Sequence, residues 1–295
     1  MAKRKCSIGS AMKTSQLASS REIPLISAMP ALIWQLLFVY VPLVSMVGLS
    51  FIKNGTLTLE YYIALLGLPY FFIIVRSLSL ALFTASVCVM LAYPVAYYLA
   101  FYVRRFKQLL LFFLILPFWI NFLVQVYSWF FVLELSGPIN TILLKLGVIT
   151  APIAMLNTTF AIYLVMVYCY VPFMIMPIYS ALESFDIRLF EASSDLGATP
   201  WQTFMRVTLP ISASGIKTGF FLVFIPSFGE FVIPALLGGG KYLYAGSLVS
   251  HYVLVARDTH MGASFTVVSS IVLLASAYSI HWFFKKAFGL GKGGV

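Results

Sequence analysis

The chain has 295 residues, of which 61% are hydrophobic and only 9% are charged, and its mean hydropathy is +0.98. This composition excludes a soluble globular domain and indicates an integral membrane protein. The net charge of +10 is also compatible with nucleic-acid binding, but the charges lie at the ends of apolar runs and form no basic groove with interleaved aromatic residues. Nucleic acid is therefore not expected as a partner.

Residues 1–28 form a basic, polar tail, and six apolar segments that follow are long enough to cross a bilayer as helices. The first apolar run is too long for the core of a signal peptide, so a retained first span is expected. The sequence thus predicts an all-α polytopic protein with a transmembrane domain over 29–287 and a short tail over 288–295. The predicted spans cover about 29–52, 77–103, 108–133, 158–182, 211–237 and 262–284.

Positive charge is unevenly divided between the two sides of this six-span arrangement. Cytoplasmic loops retain Lys and Arg, so the richer side is assigned to the cytoplasm. Both termini and the loops after spans two and four are therefore predicted to be cytoplasmic. The other side holds only a few of the 19 Lys and Arg residues: Lys53, Arg76, Lys145, Lys241 and Arg257.

Prolines recur inside the predicted spans, where each frees a carbonyl group and bends its helix. Bent helices of this kind are typical of a bundle that surrounds a pathway, although proline is also common in membrane helices in general. The prolines concerned are Pro42, Pro94, Pro117, Pro172, Pro177, Pro226 and Pro234.

The sequence contains none of the common catalytic or nucleotide-binding motifs. A Walker A loop, HExxH, CxxC and GxSxG are all absent, and His251, His260 and His281 stand apart from one another. We therefore expect no catalytic residue, no metal ligand and no cofactor in this chain. Energy for any transport would have to come from elsewhere.

The loop 183–210 is unusually polar and carries signals for two short helices. Asp186 can cap a first helix over 187–196, in which Leu189, Ala192, Ser193 and Leu196 share one face, and Gly197 can end it.

The second helix has Thr199 as N-cap, Pro200 at the first position and Gln202 three residues after the cap, which together make a capping box. Its mostly apolar face comprises Trp201, Phe204, Met205 and Thr208, and Leu209-Pro210 is expected to end it. A loop of this length can bury one apolar face against itself or against the bundle, but not two. The second face therefore requires a partner. A hairpin lying on the lipid surface is the alternative, but net acidity beside an anionic leaflet disfavours it.

Glu230 is the only acid well inside a predicted span, where a charged group must face a cavity or a partner. Two interpretations stay open: a pair with Arg76 that joins two helices, and a carboxylate that meets a cationic amine. Ring faces also attract ammonium groups, and Asn121 and Gln125 share a helix face. The candidate substrate-pathway residues are Trp119, Asn121, Gln125, Tyr127, Tyr170 and Glu230.

The stretch EASSDLGATPWQTFMRVTLP, residues 191–210, resembles the "EAA" motif of ABC importer permeases. Glu191, Ala192 and Gly197 match the pattern, as does Leu209-Pro210, whereas Ser193 replaces the second alanine and Val207 an isoleucine. The segments LPFWINFLVQVYSWFFVL, YVPFMIMPIY and FIPSFGEFVIPALLGG resemble spermidine/putrescine permeases of the PotB and PotH type. Those relatives tend to have arginine where this chain has Gln125.

The resemblance implies an ABC type I importer permease fold in a bacterial inner membrane, with coupling helices between spans four and five. It implies a cytoplasmic ABC ATPase dimer that binds ATP and Mg, a second homologous permease subunit in a heterodimer, and an extracytoplasmic solute-binding protein. The residues implied in ATPase coupling are Glu191, Ala192, Ser193, Asp195, Gly197, Trp201, Phe204, Leu209 and Pro210.

The expected function is therefore to form half of a polyamine pathway and to couple to the ATPase through residues 186–210. Three alternatives remain: a permease for another solute such as sulfate or molybdate, an ATPase-independent secondary transporter, and a membrane enzyme. The enzyme is disfavoured because no cluster of acid, base and nucleophile is present.

Overall fold

The computed structural model describes residues 25–53, 55–103, 105–184, 186 and 188–288. Most of the predicted N-terminal tail, and all but the first residue of the C-terminal tail, lie outside these residues. Among the described residues, six helical stretches are long and apolar enough to cross a membrane, which confirms the six-span, all-α prediction. The chain divides into two compact units, one ending at Thr58 and the other beginning at Leu59.

The first unit contains the first predicted span. Helix α1 (Leu25–Gln35) continues through a π-helical turn (Leu36–Tyr40) into α2 (Val41–Ser50). Pro42 lies directly after this π-helical turn, where the wider hydrogen-bond spacing tolerates its missing N–H inside a continuous helix. A short antiparallel hairpin follows, in which β1 (Ile52–Lys53) pairs with β2 (Thr56–Leu57).

The second unit holds the remaining helices. In chain order they are α3 (Glu60–Leu65), α4 (Leu68–Phe101), α5 (Lys107–Trp119), α6 (Phe122–Leu133), α7 (Pro138–Lys145), α8 (Thr159–Glu183), α9 (Arg188–Asp195), α10 (Pro200–Thr203), a π-helical turn (Phe204–Thr208), α11 (Leu209–Gly229), α12 (Val232–Leu237), α13 (Ala245–Ser250), a second π-helical turn (His251–Val255) and α14 (Thr259–Phe288).

Helices α4, α8 and α11 pack against one another and form the centre of this unit. Their contact surfaces are rich in small residues, which let helices approach closely in a membrane, where packing rather than hydrophobicity drives association. On α11, a Cβ atom at Gly219 would lie 2.7 Å from the Met174 sulfur of α8. On α4, small residues that are fully buried form a narrow stripe: Ser77, Ala81, Thr84, Ala85, Cys88, Ala92 and Ala96.

Two predicted spans are not single helices. The third span, predicted as 108–133, divides into α5 and α6 around Ile120 and Asn121, and the stretch long enough to cross the membrane is Phe122–Lys145. The fifth, predicted as 211–237, divides into α11 and α12 at Glu230. In each case a proline lies in the last turns of the first helix, and a polar side chain caps the start of the second.

Candidate functional site

The hairpin between α8 and α11 forms through the local signals that the sequence carries. The Asp186 carboxylate accepts a hydrogen bond from the backbone N–H of Arg188 at 3.0 Å, so α9 begins at Arg188. Gly197 adopts φ +77°, and the N–H of Ala198 donates to the carbonyl of Ser193 at 3.1 Å. This closure is the left-handed helix ending that favours glycine.

The second arm of the hairpin begins with the predicted capping box. The N–H of Gln202 donates to the Thr199 hydroxyl at 3.3 Å, and the N–H of Thr199 donates to the Gln202 side chain at 2.9 Å. The prediction that Leu209-Pro210 ends this arm is wrong, because the helix continues from Pro200 to Gly229. Pro210 lies in the first turn after a π-helical turn, where the wider hydrogen-bond spacing tolerates its missing N–H.

The inner side of the hairpin is held by one buried hydrogen bond and by aromatic contacts. The hydroxyl groups of Ser193 and Thr203 lie 2.9 Å apart and join the two arms. Phe190 packs edge-on against Phe101 at 5.2 Å between ring centroids, and Phe204 packs in the same way on α4. The hairpin therefore rests on the last turns of α4.

The outer side of the hairpin exposes large apolar side chains. Leu196 is 89% exposed and Trp201 66%, and Leu189 and Met205 lie on the same exposed side of the chain. The members of each predicted face therefore differ in burial: Ser193 and Thr208 are buried and Phe204 is half-buried, while the remaining members of both faces are exposed. Of the residues implied in coupling, those that remain exposed are Glu191, Ala192, Asp195, Gly197, Trp201 and Pro210; Ser193 is buried, and Phe204 and Leu209 are half-buried.

An ion pair that the sequence reasoning missed lies beside the hairpin. The Lys107 ammonium, where α5 begins, is 2.9 Å from the Glu183 carboxylate, where α8 ends, and it lies 5.1 Å from the centre of the Tyr179 ring. Hydrogen bonds to the Tyr179 hydroxyl and to Glu183 raise the pKa of Lys107 above its ordinary value. Opposite charges at adjacent ends of consecutive spans were the available signal for this pair.

A cavity of about 750 Å³ lies where the two helix breaks meet α8. Five of the six candidate pathway residues line it, and they come from α5, α6, α8 and the segment between α11 and α12. The lining residues are Pro117, Phe118, Trp119, Ile120, Asn121, Phe122, Gln125, Tyr168, Cys169, Tyr170, Pro172, Phe173, Leu222, Pro226 and Glu230.

Tyr127 is the candidate that the structure does not bring to this cavity. It is half-exposed and lies two residues beyond Gln125 on α6, which places it on the opposite side of that helix. Phe173 and Cys169, which the sequence reasoning did not select, lie in the lining instead. The Phe173 ring packs against Phe118 at 4.4 Å and so brings α8 to the end of α5.

Glu230 is held by three hydrogen bonds at the break between α11 and α12. One carboxylate oxygen accepts from the Tyr170 hydroxyl at 3.0 Å, and the other accepts from the N–H groups of Phe231 and Val232 at 3.1 and 2.9 Å. Within the described residues no ion pair joins Glu230 to Arg76, whose guanidinium lies 5.3 Å from the centre of the Tyr242 ring. The structure therefore does not support the interpretation in which Glu230 joins two helices through an ion pair with Arg76.

The break in the third span is stabilised by side chains of its own. The Asn121 oxygen accepts from the N–H of Leu123 at 2.9 Å and caps α6, while the Gln125 amide donates to the carbonyl of Pro117. Trp119, at the end of α5, is 78% exposed. Asn121 and Gln125 therefore line the cavity and also hold its wall in shape.

The electrostatic character of the cavity is that of a site for a cation. The described lining contains the Glu230 carboxylate and no Lys, Arg or His. The C-terminal ends of α5 and α11, which carry partial negative charge, border it, whereas Asn121 and Glu230 cap the N-terminal ends of α6 and α12. Aromatic rings complete the wall and add their negative faces.

Residues 92–287 match the family described as binding-protein-dependent transport system inner membrane component, and the chain belongs to that family. It is a permease subunit of an ABC importer. The spermidine/putrescine transport system permease protein PotB of Escherichia coli (strain K12) is 38% identical over 247 residues, covering 81% of this chain and 90% of PotB.

Two further comparisons bear on fold and substrate. The molybdenum transport system permease protein ModB of Azotobacter vinelandii is 30% identical over 213 residues, covering 70% of this chain and 92% of ModB. The crystal structure of a bacterial alginate ABC transporter, in complex with an alginate pentasaccharide-bound periplasmic protein, matches with a TM-score of 0.68 at 17% identity, covering 97% of this chain and 99% of that one. This likeness confirms the type I importer permease fold.

Proposed function

We propose that this chain forms half of the transmembrane pathway of an ABC importer for a polyamine of the spermidine or putrescine class. The observation that carries the proposal is the Glu230 carboxylate, held by Tyr170 in a cavity with aromatic walls. A cavity of about 750 Å³ is within the range of about 300–1,000 Å³ typical of small-molecule sites. The similarity to PotB supports the same substrate class.

The sign of the charge in the cavity separates this proposal from an anion permease. Sulfate or molybdate would require N–H donors or cationic side chains at the binding position. The described lining instead offers a carboxylate, ring faces and helix C-terminal ends, all of which favour an amine. The chain is therefore similar to ModB in sequence, but the charges that line its cavity favour a cation.

We also propose that the outer side of the hairpin docks into a cytoplasmic ATPase, which binds the ATP and Mg. Leu196 and Trp201 present apolar surface that neither arm buries. The exposed charges on the two arms are acidic on balance, with Asp186, Glu191 and Asp195 against Arg188 and Arg206. A bare apolar patch of this kind marks a protein contact. A second permease subunit, in a heterodimer, would complete the pathway, and an extracytoplasmic solute-binding protein would deliver the substrate.

The chain is a multi-pass protein of the inner membrane. The distribution of Lys and Arg supports cytoplasmic termini and a cytoplasmic hairpin. An accessibility test settles this orientation: a cysteine introduced at Ser194 should react with a membrane-impermeant maleimide only after the cells are opened. Reaction of this cysteine in intact cells would place the hairpin outside the cytoplasm, where it could not contact a cytoplasmic ATPase.

The experiment for the substrate is uptake of radiolabelled spermidine and putrescine by cells that express the full transporter. Glu230→Gln should reduce uptake about tenfold or more, because a charged hydrogen bond or ion pair contributes about 1.5–3 kcal/mol. Glu134→Gln is the matched control, since Glu134 is an exposed acid outside the cavity lining. Normal uptake by Glu230→Gln, at normal expression, would remove the carboxylate from the pathway.

ATP dependence is measured in the same preparation after reconstitution into vesicles. Uptake should require the ATPase and hydrolysable ATP inside the compartment that faces the hairpin. Uptake by the purified chain alone under an ion gradient would instead identify an ATPase-independent secondary transporter.

A further inference from the structure

A second cavity, of about 540 Å³, lies between α4 and α5 at the end remote from the α5–α6 break. Its walls are Pro94, Val95, Tyr98, Leu99, Leu110 and Leu114. Apart from the Tyr98 hydroxyl, every side chain in these walls is apolar. The cavity shares no residue with the substrate cavity, and it opens beside the turn that joins α4 to α5.

That turn carries an uncompensated positive charge. Arg105 is exposed, its guanidinium lies 5.8 Å from the centre of the Phe106 ring, and within the described residues it has no carboxylate at ion-pair distance. Phe106 is the N-cap of α5 and makes no side-chain cap hydrogen bond. The first N–H groups of α5 therefore add their partial positive charge to that of Arg105.

Two tyrosines place the turn at the boundary between hydrocarbon and water. Tyr98 and Tyr102 are 59% and 68% exposed, and their rings stack at 5.7 Å with an angle of 13°. Exposed tyrosines at the end of a membrane helix typically lie at the level of the lipid headgroups. The apolar cavity thus faces the acyl-chain region, and Arg105 lies at headgroup level beside it.

We infer that the α4–α5 cavity and Arg105 together form a binding site for an anionic phospholipid. The phosphate is received by the Arg105 guanidinium and the N-terminal end of α5, and one acyl chain lies along the apolar walls. A zwitterionic phospholipid is a poorer ligand because it brings its own ammonium group to a site that is already positive. A protein helix would cover the walls but would leave Arg105 without an anion.

The site also lies close to the hairpin. Phe101, the last residue of α4, packs against Phe190 of α9, so the helix end that borders the lipid carries the hairpin as well. A lipid that fixes the α4–α5 turn thereby stabilises the platform on which the hairpin rests.

The test uses the full-length chain in its assembled transporter, reconstituted into nanodiscs that contain equal amounts of phosphatidylglycerol and phosphatidylcholine. Lipid retained after gentle extraction is counted by native mass spectrometry. The wild type should retain phosphatidylglycerol in preference to phosphatidylcholine. Arg105→Gln should reduce that preference about fivefold, in line with the loss of one basic residue near a lipid phosphate.

Three further measurements make the result decisive. Leu110→Trp fills the cavity and should abolish retention of both lipids, whereas Lys285→Gln, which removes a basic residue from the end of helix α14, should leave the preference unchanged. Soluble glycerol phosphate should not displace the retained lipid, because it lacks the acyl chain. Equal retention of the two lipids by the wild type, an unchanged preference in Arg105→Gln, or displacement by glycerol phosphate would each overturn the inference.

Discussion

Gly215 lies where α11 packs against α8 with almost no space for a side chain. An added Cβ atom would be 2.5 Å from the carbonyl oxygen of Pro177 and 2.7 Å from the Cβ of Ala181. Unbonded heavy atoms prefer about 3.5–4.0 Å, so Gly215→Ala has to separate the two helices by roughly 1 Å. Overpacking of this kind costs about 1–3 kcal/mol, and the better helix propensity of alanine offsets up to about 1 kcal/mol.

The expected result for Gly215→Ala is a net loss of about 1–2 kcal/mol, measured as a fall of roughly 3–8 °C in the apparent melting temperature in detergent. Gly229→Ala is the control on the same helix, because an added Cβ there meets nothing within 4 Å. That variant should match the wild type or exceed its stability slightly. Equal melting temperatures for the two variants would refute the close-packing argument for α8 and α11.

Two further predictions concern the hairpin and the ion pair beside it. Leu196→Asp should abolish ATP-dependent uptake without loss of expression, because Leu196 is 89% exposed on the proposed docking surface; Leu146→Asp, at an exposed leucine outside the hairpin, should leave uptake intact. Lys107→Gln should lower stability by about 1 kcal/mol or less, since the Lys107–Glu183 pair is partly exposed. The pKa of Lys107 is raised on folding, so this stabilisation is present at pH 7 and should disappear from the melting temperatures as the pH rises through that raised pKa.

The hairpin could be predicted in detail because its signals are local. Asp186, Gly197 and the Thr199–Gln202 box each act on backbone groups two to five residues away, and each takes the expected role. Which side of each arm is buried could not be predicted in the same way. The placement of Ser193 depends on Thr203 and that of Phe190 on Phe101, and the sequence alone does not bring those partners together.

The sequence predicted most of the residues that line the cavity, but it did not predict the helix breaks that form the cavity. Polar residues inside spans and the ring-face argument selected six candidates, of which the structure brings five together, whereas Tyr127 lies outside the cavity lining. The helix breaks that bring them together were missed, because the prolines in these two spans were expected to bend the helices and not to end them. A polar residue shortly after a proline in an apolar run was the available signal, since it can cap a new helix start.

The position of Pro210 changes how the hairpin and the cavity are connected. Had the helix ended there, a flexible joint would separate the proposed docking surface from the pathway. Instead one continuous helical stretch of 30 residues, Pro200–Gly229, begins at the capping box of the hairpin and ends next to Glu230. At 1.5 Å per residue this stretch is about 45 Å long.

A second connection runs through α8. Its last residue, Glu183, pairs with Lys107 beside the hairpin, and Tyr170, about 20 Å further along the same helix at 1.5 Å per residue, donates to Glu230. Helix α11 and helix α8 therefore both run from the hairpin region to one carboxylate, and they pack against each other on the way, at Gly215 and Gly219. A displacement of the hairpin that tilts one helix relative to the other is expected to alter the Tyr170–Glu230 hydrogen bond, because that bond joins the middle of α8 to the end of α11. Under the function proposed above, Glu230 is the point at which we expect an ATPase-driven movement to alter the affinity for an amine.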